Sequence, residues 1–253
     1  MLSEERRRET LELLRIEGRV LVRELAKRFR TSLITIRKDL ESLHHQGLIE
    51  RTHGGALPVR TGALQDQSLQ EKVRLHRQEK ARIANAAVRM IRPGQVIILD
   101  SGTTTTAIAR GCRQIRNLTV VTNGTNIAAE LAGSEVEVIL TGGSLRKNSF
   151  SLVGPLAEES LRKLSADLLF LAVDGFDVDY GLTTPNQLEA RVNRAMAEAA
   201  RRTIVVCDSS KFGRRSLSLI MAISSVHETI TDRNIPKRDL KSLREAEVEV
   251  TIV

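Results

Sequence analysis

The chain has 253 residues, of which 41% are hydrophobic and 28% charged, and its formal net charge is +8. It is long enough for one large domain or two, and the composition suits a soluble globular protein. No run of about 18 apolar residues occurs, so no membrane helix is expected; the start "MLSEERRRETLELL" has no apolar signal core, so the expected compartment is the cytoplasm.

The basic excess is uneven. Residues 1–60 hold 13 Lys and Arg against 9 Asp and Glu, a net of +4, and the other 193 residues share the remaining +4. Per residue, the N-terminal excess is about three times denser, a modest footprint of nucleic-acid binding. "SEERRRETLELLRIEG" places Leu11, Leu13, Leu14 and Ile16 in a first helix stopped by Gly18. "VLVRELAKRF" spaces Val22, Leu25, Ala26 and Phe29 for a second, short helix. "RTS" then makes a turn, with Ser32 as N-cap of a third helix. In that helix Leu33, Ile36, Leu40 and Leu43 share a face, and the helix is expected to end at Gly47. At about 100° per residue, Ile34, Thr35, Lys38 and Glu41 point away from that face, with Arg37 at its flank. Arg and Lys suit guanine edges and phosphates, and Thr and Ile suit thymine methyls, so this is a recognition helix in composition. "LIERTHGGAL" reads as a β-hairpin, the wing of a winged helix-turn-helix.

"SLITIRKDL" (Ser32 to Leu40) followed by "RTHGGA" (Arg51 to Ala56) closely resembles the helix-turn-helix signature of DeoR-type bacterial repressors. The resemblance implies that Ser32, Thr35, Arg37 and Lys38 face DNA. It also implies that Arg51, His53 and the turn Gly54–Gly55 approach the DNA backbone or minor groove, and that Asp39 orients a neighbouring arginine.

Pro58, Gly62 and the Gln/Ser content around 65–70 mark a linker, followed by one long helix from about Glu71 to Ile91. The expected division is residues 1–57 for the winged helix-turn-helix, 58–75 for the linker and 76–253 for a second domain. In that domain "QVIILD", "NLTVVTN", "EVEVILTGG", "DLLFLAVDG" and "TIVVCDSS" read as buried parallel strands, with "VHETITD" and "VEVTIV" as further strands. The helical segments "TTTAIARGC", "TNIAAELAG", "PLAEESLRKL", "QLEARVNRAMAEAARR" and "KRDLKSLREA" alternate with them, which predicts an α/β domain with helices on both faces of a sheet. Cys112 and Cys207 lack metal-ligand spacing, so they are expected as buried thiols.

Ligands of such sheets bind at the carboxyl ends of the strands. There the sequence offers Asp100, Ser101, Gly102, Thr103, Thr104 and Thr105 running into a helix. Gly102 is expected to let a ligand approach the backbone, and the helix start suits a phosphate. Asn123 follows the second strand, Gly142 and Gly143 the third with Arg146 just beyond, Asp174 the fourth and Lys211 the fifth. Glu189 lies in the helix before the fifth strand. Singly, each has an ordinary explanation as a cap, turn, solvated helix residue or surface lysine; their recurrence after successive strands favours a site. Neither a Walker loop nor a G-x-G-x-x-G fingerprint occurs, so nucleotide binding is not favoured.

"ILDSGTTT", "VVTNG", "LTGG", "LFLAVDG" and "VVCDSSKF" resemble the sensor domain of the same DeoR family, so the resemblance covers nearly the whole chain. That domain is similar to the ribose-phosphate isomerase and CoA-transferase fold, which implies a sugar phosphate as ligand. The resemblance puts Ser101 to Thr105 on the phosphate and Asp100, Asn123, Asp174, Glu189 and Lys211 around the sugar. The stretch from Asn186 to Leu217 looks closest to the branch regulating N-acetylgalactosamine and galactosamine use. The implied function is a non-enzymatic repressor of a sugar-catabolism operon, controlled by a phosphorylated amino sugar or a tagatose phosphate. The alternative is a sugar-phosphate isomerase with an appended DNA-binding domain, using Asp174 or Glu189 as base and Lys211 as electrophile. Expected partners are double-stranded operator DNA, a phosphorylated sugar and further copies of the chain as dimer or tetramer, with no membrane, metal or cofactor.

Overall fold

The computed structural model describes residues 2–45, 48–52, 54–58 and 66–253. The expected helix end at Gly47, the residue His53 and residues 59–65 of the expected linker lie outside them. The chain divides into two units, residues 1–62 with 74–76, and residues 63–73 with 77–253.

The first unit begins with α1 (Ser3–Glu17), which ends where Gly18 turns left-handed (φ 72°) and donates its amide to Leu14 O at 3.0 Å. β1 (Val20–Leu21) leads into α2 (Val22–Arg28); Arg30, at φ 49°, turns the chain towards α3 (Leu33–His45). Ser32 caps α3 by accepting the Thr35 amide at 3.1 Å. β2 (Ile49–Thr52) and β3 (Gly55–Pro58) form the expected hairpin, and β1 adds a third strand in the order β1-β3-β2. Leu14, Val20, Leu25, Ile36, Leu40, Leu43 and Ile49 make the core. One expectation is corrected here. Leu33 is 42% exposed, because the buried stripe of α3 runs through Ile36, Asp39, Leu40 and Leu43 and the first turn projects beyond it. Ile16, in the last turn of α1, is likewise exposed.

In the second unit the expected long helix is two, α4 (Leu69–Arg74) and α5 (Arg77–Val88); His76 between them adopts φ 50°, which no helix continues through. The chain then runs β4 (Val96–Leu99), α6 (Thr103–Cys112), β5 (Thr119–Thr122), α7 (Thr125–Leu131) and β6 (Glu137–Leu140). A hairpin of β7 (Ser144–Arg146) and β8 (Ser151–Val153) precedes α8 (Pro155–Arg162) and β9 (Ala166–Leu171). Next come β10 (Gly175–Asp177), β11 (Gly181–Thr184), α9 (Gln187–Ala199) and β12 (Ala200–Val206). Residues Ala200 to Arg202, expected in the helix, open that strand instead. β13 (Ser218–Met221), β14 (Glu228–Thr231), α10 (Lys237–Glu245) and β15 (Glu249–Ile252) complete the unit.

The main sheet is seven-stranded and parallel, in the order β15-β14-β12-β9-β4-β5-β6. Strand residues alternate between two cores: Ile97, Leu99, Phe170 and Val206 pack with α5, α6 and α7, while Ile98, Leu169, Leu171 and Val205 pack with α8, α9 and α10. Each such side chain contributes about 1.5–3 kcal/mol on leaving water. Both thiols, Cys112 and Cys207, are buried. From β4 the chain proceeds outward through β5 and β6, then returns to β9 on the other side. The strand order therefore reverses between β4 and β9, and ligands of such sheets bind in the crevice outside the carboxyl ends at that switch point. β10, β11 and β13 form a small antiparallel sheet that the sequence reading did not anticipate.

Candidate functional site

On α3, Arg37 and Lys38 are exposed and Thr35 is half-buried, while Ile34 is 65% exposed beside them. Ser32 is exposed, but its Oγ both caps the helix and lies 2.8 Å from Thr35 Oγ1. The face is held from behind. Arg6 Nε and Nη2 on α1 donate to the buried Asp39 carboxylate at 2.5 and 3.2 Å, and Arg7 pairs with it at 3.5 Å. The hydrogen bond to Asp39 raises the Arg6 pKa above its ordinary value. Asp39 thus faces inward and ties α1 to α3. Arg51 is exposed, 3.9 Å from Glu41, and Gly54 is exposed at the hairpin turn. Gly55 is different: it is buried, and a β-carbon there would overlap the Val20 carbonyl, so it serves the packing of β3 on β1.

In the second unit, residues far apart in sequence meet at the carboxyl ends of the strands. Glu189, on the first turn of α9 capped by Asn186, accepts from Arg146 Nη1 at 3.1 Å and Ser151 Oγ at 2.9 Å. Its other oxygen accepts from Thr184 Oγ1 at 3.3 Å, and the same hydroxyl lies 3.4 Å from Asp174 Oδ2. Asp174 Oδ1 holds Lys72 Nζ at 2.5 Å, with Lys211 Nζ at 3.9 Å. Burial alone would raise the Asp174 pKa, but the two ammonium groups and the bonds from Lys72 and Thr184 outweigh it, and the carboxyl is held below its usual range. Lys80, on α5, is buried and donates to Lys72 O at 2.6 Å. Burial, reinforced by Lys211 and Lys72 against the pull of Asp208, lowers its pKa to about 8. Four cations and two carboxylates thus gather in one loose ring: Arg146, Glu189, Asp174, Lys72, Lys211 and Lys80.

Beside the ring stands the start of α6. Asp100 Oδ1 accepts the amides of Gly102 at 3.4 Å and of Ala172, across the crevice, at 3.3 Å. Burial pushes the Asp100 pKa up to about 7 against these bonds, and the negative charge of Glu189 adds to the rise, which links Asp100 to the ring. Ser101, Gly102 and Thr103 are partly open, whereas Thr104 and Thr105 are buried. The Thr105 hydroxyl is turned inward onto Asp100 O and Gly102 O, both at 2.8 Å, so it supports the turn. A β-carbon on Gly102 would sit 2.5 Å from Ala172 Cβ, so packing at the β4–β9 junction already demands this glycine. Asn126 Nδ2 braces the turn by donating to Ser101 O at 3.1 Å. Asn123, buried at the end of β5, donates to Leu152 O at 3.2 Å; the carboxamide oxygens of Asn123 and Asn126 are buried without a partner.

Gly142 and Gly143 stand apart from this network. With φ 71° and 111° they turn β6 into β7, and a β-carbon on Gly143 would lie 2.6 Å from Val153 O. Sequence reasoning missed Lys72 and Lys80, and left Arg146 out of the site. Their signal was faint: charged residues outside the ends of the main strands, brought in by α4, α5 and the β7–β8 hairpin.

Two family models match this chain, the DeoR-like helix-turn-helix domain over residues 6–61 and the DeoR C terminal sensor domain over residues 75–233. A protein of Escherichia coli O157:H7, provisionally named an aga operon transcriptional repressor, is 44% identical over 253 residues, covering 99% of this chain and 94% of its own. The glycerol-3-phosphate regulon repressor of Escherichia coli K12 is 32% identical and covers 100% of both chains. Among solved structures, ribose 5-phosphate isomerase A of Methanocaldococcus jannaschii aligns with 53% of each chain at 16% identity and a TM-score of 0.39.

Proposed function

The chain belongs to the DeoR family of DNA-binding transcriptional regulators, and from that premise we propose that it represses a sugar-catabolism operon until a phosphorylated sugar releases it. The observation that carries the second half is the union, where the strand order of the sheet reverses, of a partly open helix start with a ring of paired charges. The first amides of a helix have no intrahelical acceptor, and the positive end of the helix favours an anion, so a phosphate belongs at Ser101–Thr103. Sugar hydroxyls are donors that need carboxylate and carboxamide oxygens; Asp174, Glu189 and the unpartnered oxygen of Asn123 provide them. A buried oxygen without a donor costs about 1–3 kcal/mol, which a bound hydroxyl recovers.

The relative named for the aga operon and the one named for a glycerol-3-phosphate regulon favour a phosphorylated carbohydrate, with an amino-sugar or tagatose phosphate as first choices. Residues 1–57 read the DNA through Thr35, Arg37 and Lys38, with Arg51 and Gly54 near the backbone; residues 58–75 link them to the sensor at 76–253. A homo-oligomer, dimer or tetramer, matches paired half-sites. Isomerase chemistry is disfavoured by Asp174, a weakened base between two ammonium groups.

The test has two arms on one preparation. Thermal unfolding in the presence of a panel of sugar phosphates should give a rise in Tm for at least one of them. A mobility shift on fragments selected from the source genome should show a bound site that the same compound releases, with no conversion of the compound. Stabilisation without release, or turnover, contradicts the proposal.

A further inference from the structure

Asp66 and Lys72 belong to the stretch that joins the two units in sequence, yet both side chains end in the ring of charges. Asp66 pairs with Arg146, and Asn148 Nδ2 donates to Asp66 O at 2.8 Å. The Leu69 amide donates to Asn148 O at 2.8 Å, and Lys72 reaches Asp174 at 2.5 Å. Lys80 Nζ takes the Lys72 carbonyl. The ring is partly covered in consequence: the side chains of Arg146 and Asp174 are 16% and 21% exposed.

We propose that residues 66–73 are a strap, docked by the Asp66–Arg146 and Lys72–Asp174 pairs, and that the bound ligand and the docked strap exclude one another. The inference rests on the sugar-phosphate reading, because it deepens the regulation of that same site. Lys72 Nζ, 2.5 Å from Asp174 Oδ1, takes one of the acceptor sites of that carboxylate, so a hydroxyl donor that uses the same site must displace it. A sugar that uses Asp174 and Glu189 therefore competes with Lys72, and once Lys72 leaves, the strap is left with the Asp66–Arg146 pair and its bonds to Asn148 and Lys80. The pair of charges that departs with it, one acid and one base, leaves the net charge of the ring unchanged. In sequence, residues 59–65 lie between the strap and β3, so a ligand that displaces the strap acts on the stretch of chain next to the DNA-reading unit. A ligand shifts such an equilibrium only by preferring one state, and exclusion of the strap supplies that preference.

Two variants of opposite charge test this, Asp66→Asn and Lys72→Gln, titrated calorimetrically with galactosamine 6-phosphate and tagatose 6-phosphate beside wild type. Partly exposed pairs of this kind are weak, so each variant should bind about two- to fivefold more tightly than wild type. Simple electrostatics predicts the reverse for one of them: removing a cation weakens, and removing an anion strengthens, the binding of a phosphate. Opposite signs, or weaker binding in both as for a lid that closes on its ligand, overturn the strap and leave the sugar-phosphate reading intact. Hydrogen exchange without ligand gives a second measure: both variants should accelerate exchange at residues 68–73, and unchanged protection in both overturns docking itself. If neither compound binds any of the three proteins, the choice of ligand falls, and the competition proposed for it falls with it.

Discussion

Asp100 sits between the two amides that close the crevice, and its burial moves its pKa from 3.8 to about 7. Between those values the folded chain holds a proton that the unfolded chain has lost. Stability contributed by this group is therefore present at low pH, declines as pH rises through that window, and stays lost above it. Asp100→Asn keeps an oxygen for the Gly102 and Ala172 amides and removes the charge. The variant should gain about 2–4 kcal/mol on wild type between pH 5 and pH 8, read from urea unfolding at both values. An equal difference at the two pH values contradicts the assignment. On the DNA side, Arg37 and Lys38 are exposed, so their truncation should leave folding intact. Arg37→Ala should cost about 1–3 kcal/mol of operator affinity, and Lys38→Ala should lower the salt slope by about one unit. If both variants bind as wild type does at every salt concentration, α3 is not the reading helix.

At the scale of elements, α1 and α3 are joined by a buried ion pair whose worth lies in its completeness. Asp39→Ala leaves the buried Arg6 guanidinium without its carboxylate and should destabilise the first unit by about 3–5 kcal/mol, whereas Arg6→Met combined with Asp39→Leu should recover most of that loss in thermal melts. A double variant no more stable than Asp39→Ala would mean that the pair does more than neutralise itself. The same scale shows what the sequence made legible. The strands of the main sheet announced themselves because both faces are buried, so Val, Ile and Leu run unbroken; their parallel order then brought Asp100, Asn123, Asp174 and Lys211 to one edge. α3 was legible from its cap and its stripe. The contributions of Lys72, Lys80 and Arg146 were not, since an ion pair between residues 102 apart in sequence leaves no periodic trace. Nor were the strands β1, β10, β11 and β13, too short for alternation to show, or the break at His76, a single dihedral. Gly55 and Gly102 were noticed without their packing role, because close backbone packing and ligand approach demand the same residue.

On the proposed function, the molecule as a whole converts ligand binding in one unit into a change of DNA affinity in the other. To move a population from 99:1 to 1:99 the ligand must prefer the released state by roughly 10⁴-fold, so the phosphate site has to be strongly coupled to the state that lets DNA go. Gly102→Leu is a poor probe of that coupling, since the added side chain meets Ala172 before any ligand. Thr103 is the better position: it is the first residue of α6 and partly open. Aspartate there complements the helix terminus by about 0.3–1 kcal/mol and repels a phosphate from the same amides. The variant should fold, bind operator and hold it when wild type lets go. The decisive measurement is a titration of the protein–operator complex with galactosamine 6-phosphate and tagatose 6-phosphate, wild type beside Thr103→Asp, followed by fluorescence anisotropy of the DNA. The account predicts release of wild type by at least one of them and a shift of more than about tenfold in the concentration that releases Thr103→Asp. Release of both proteins at the same concentration would contradict a phosphate seated on the start of α6.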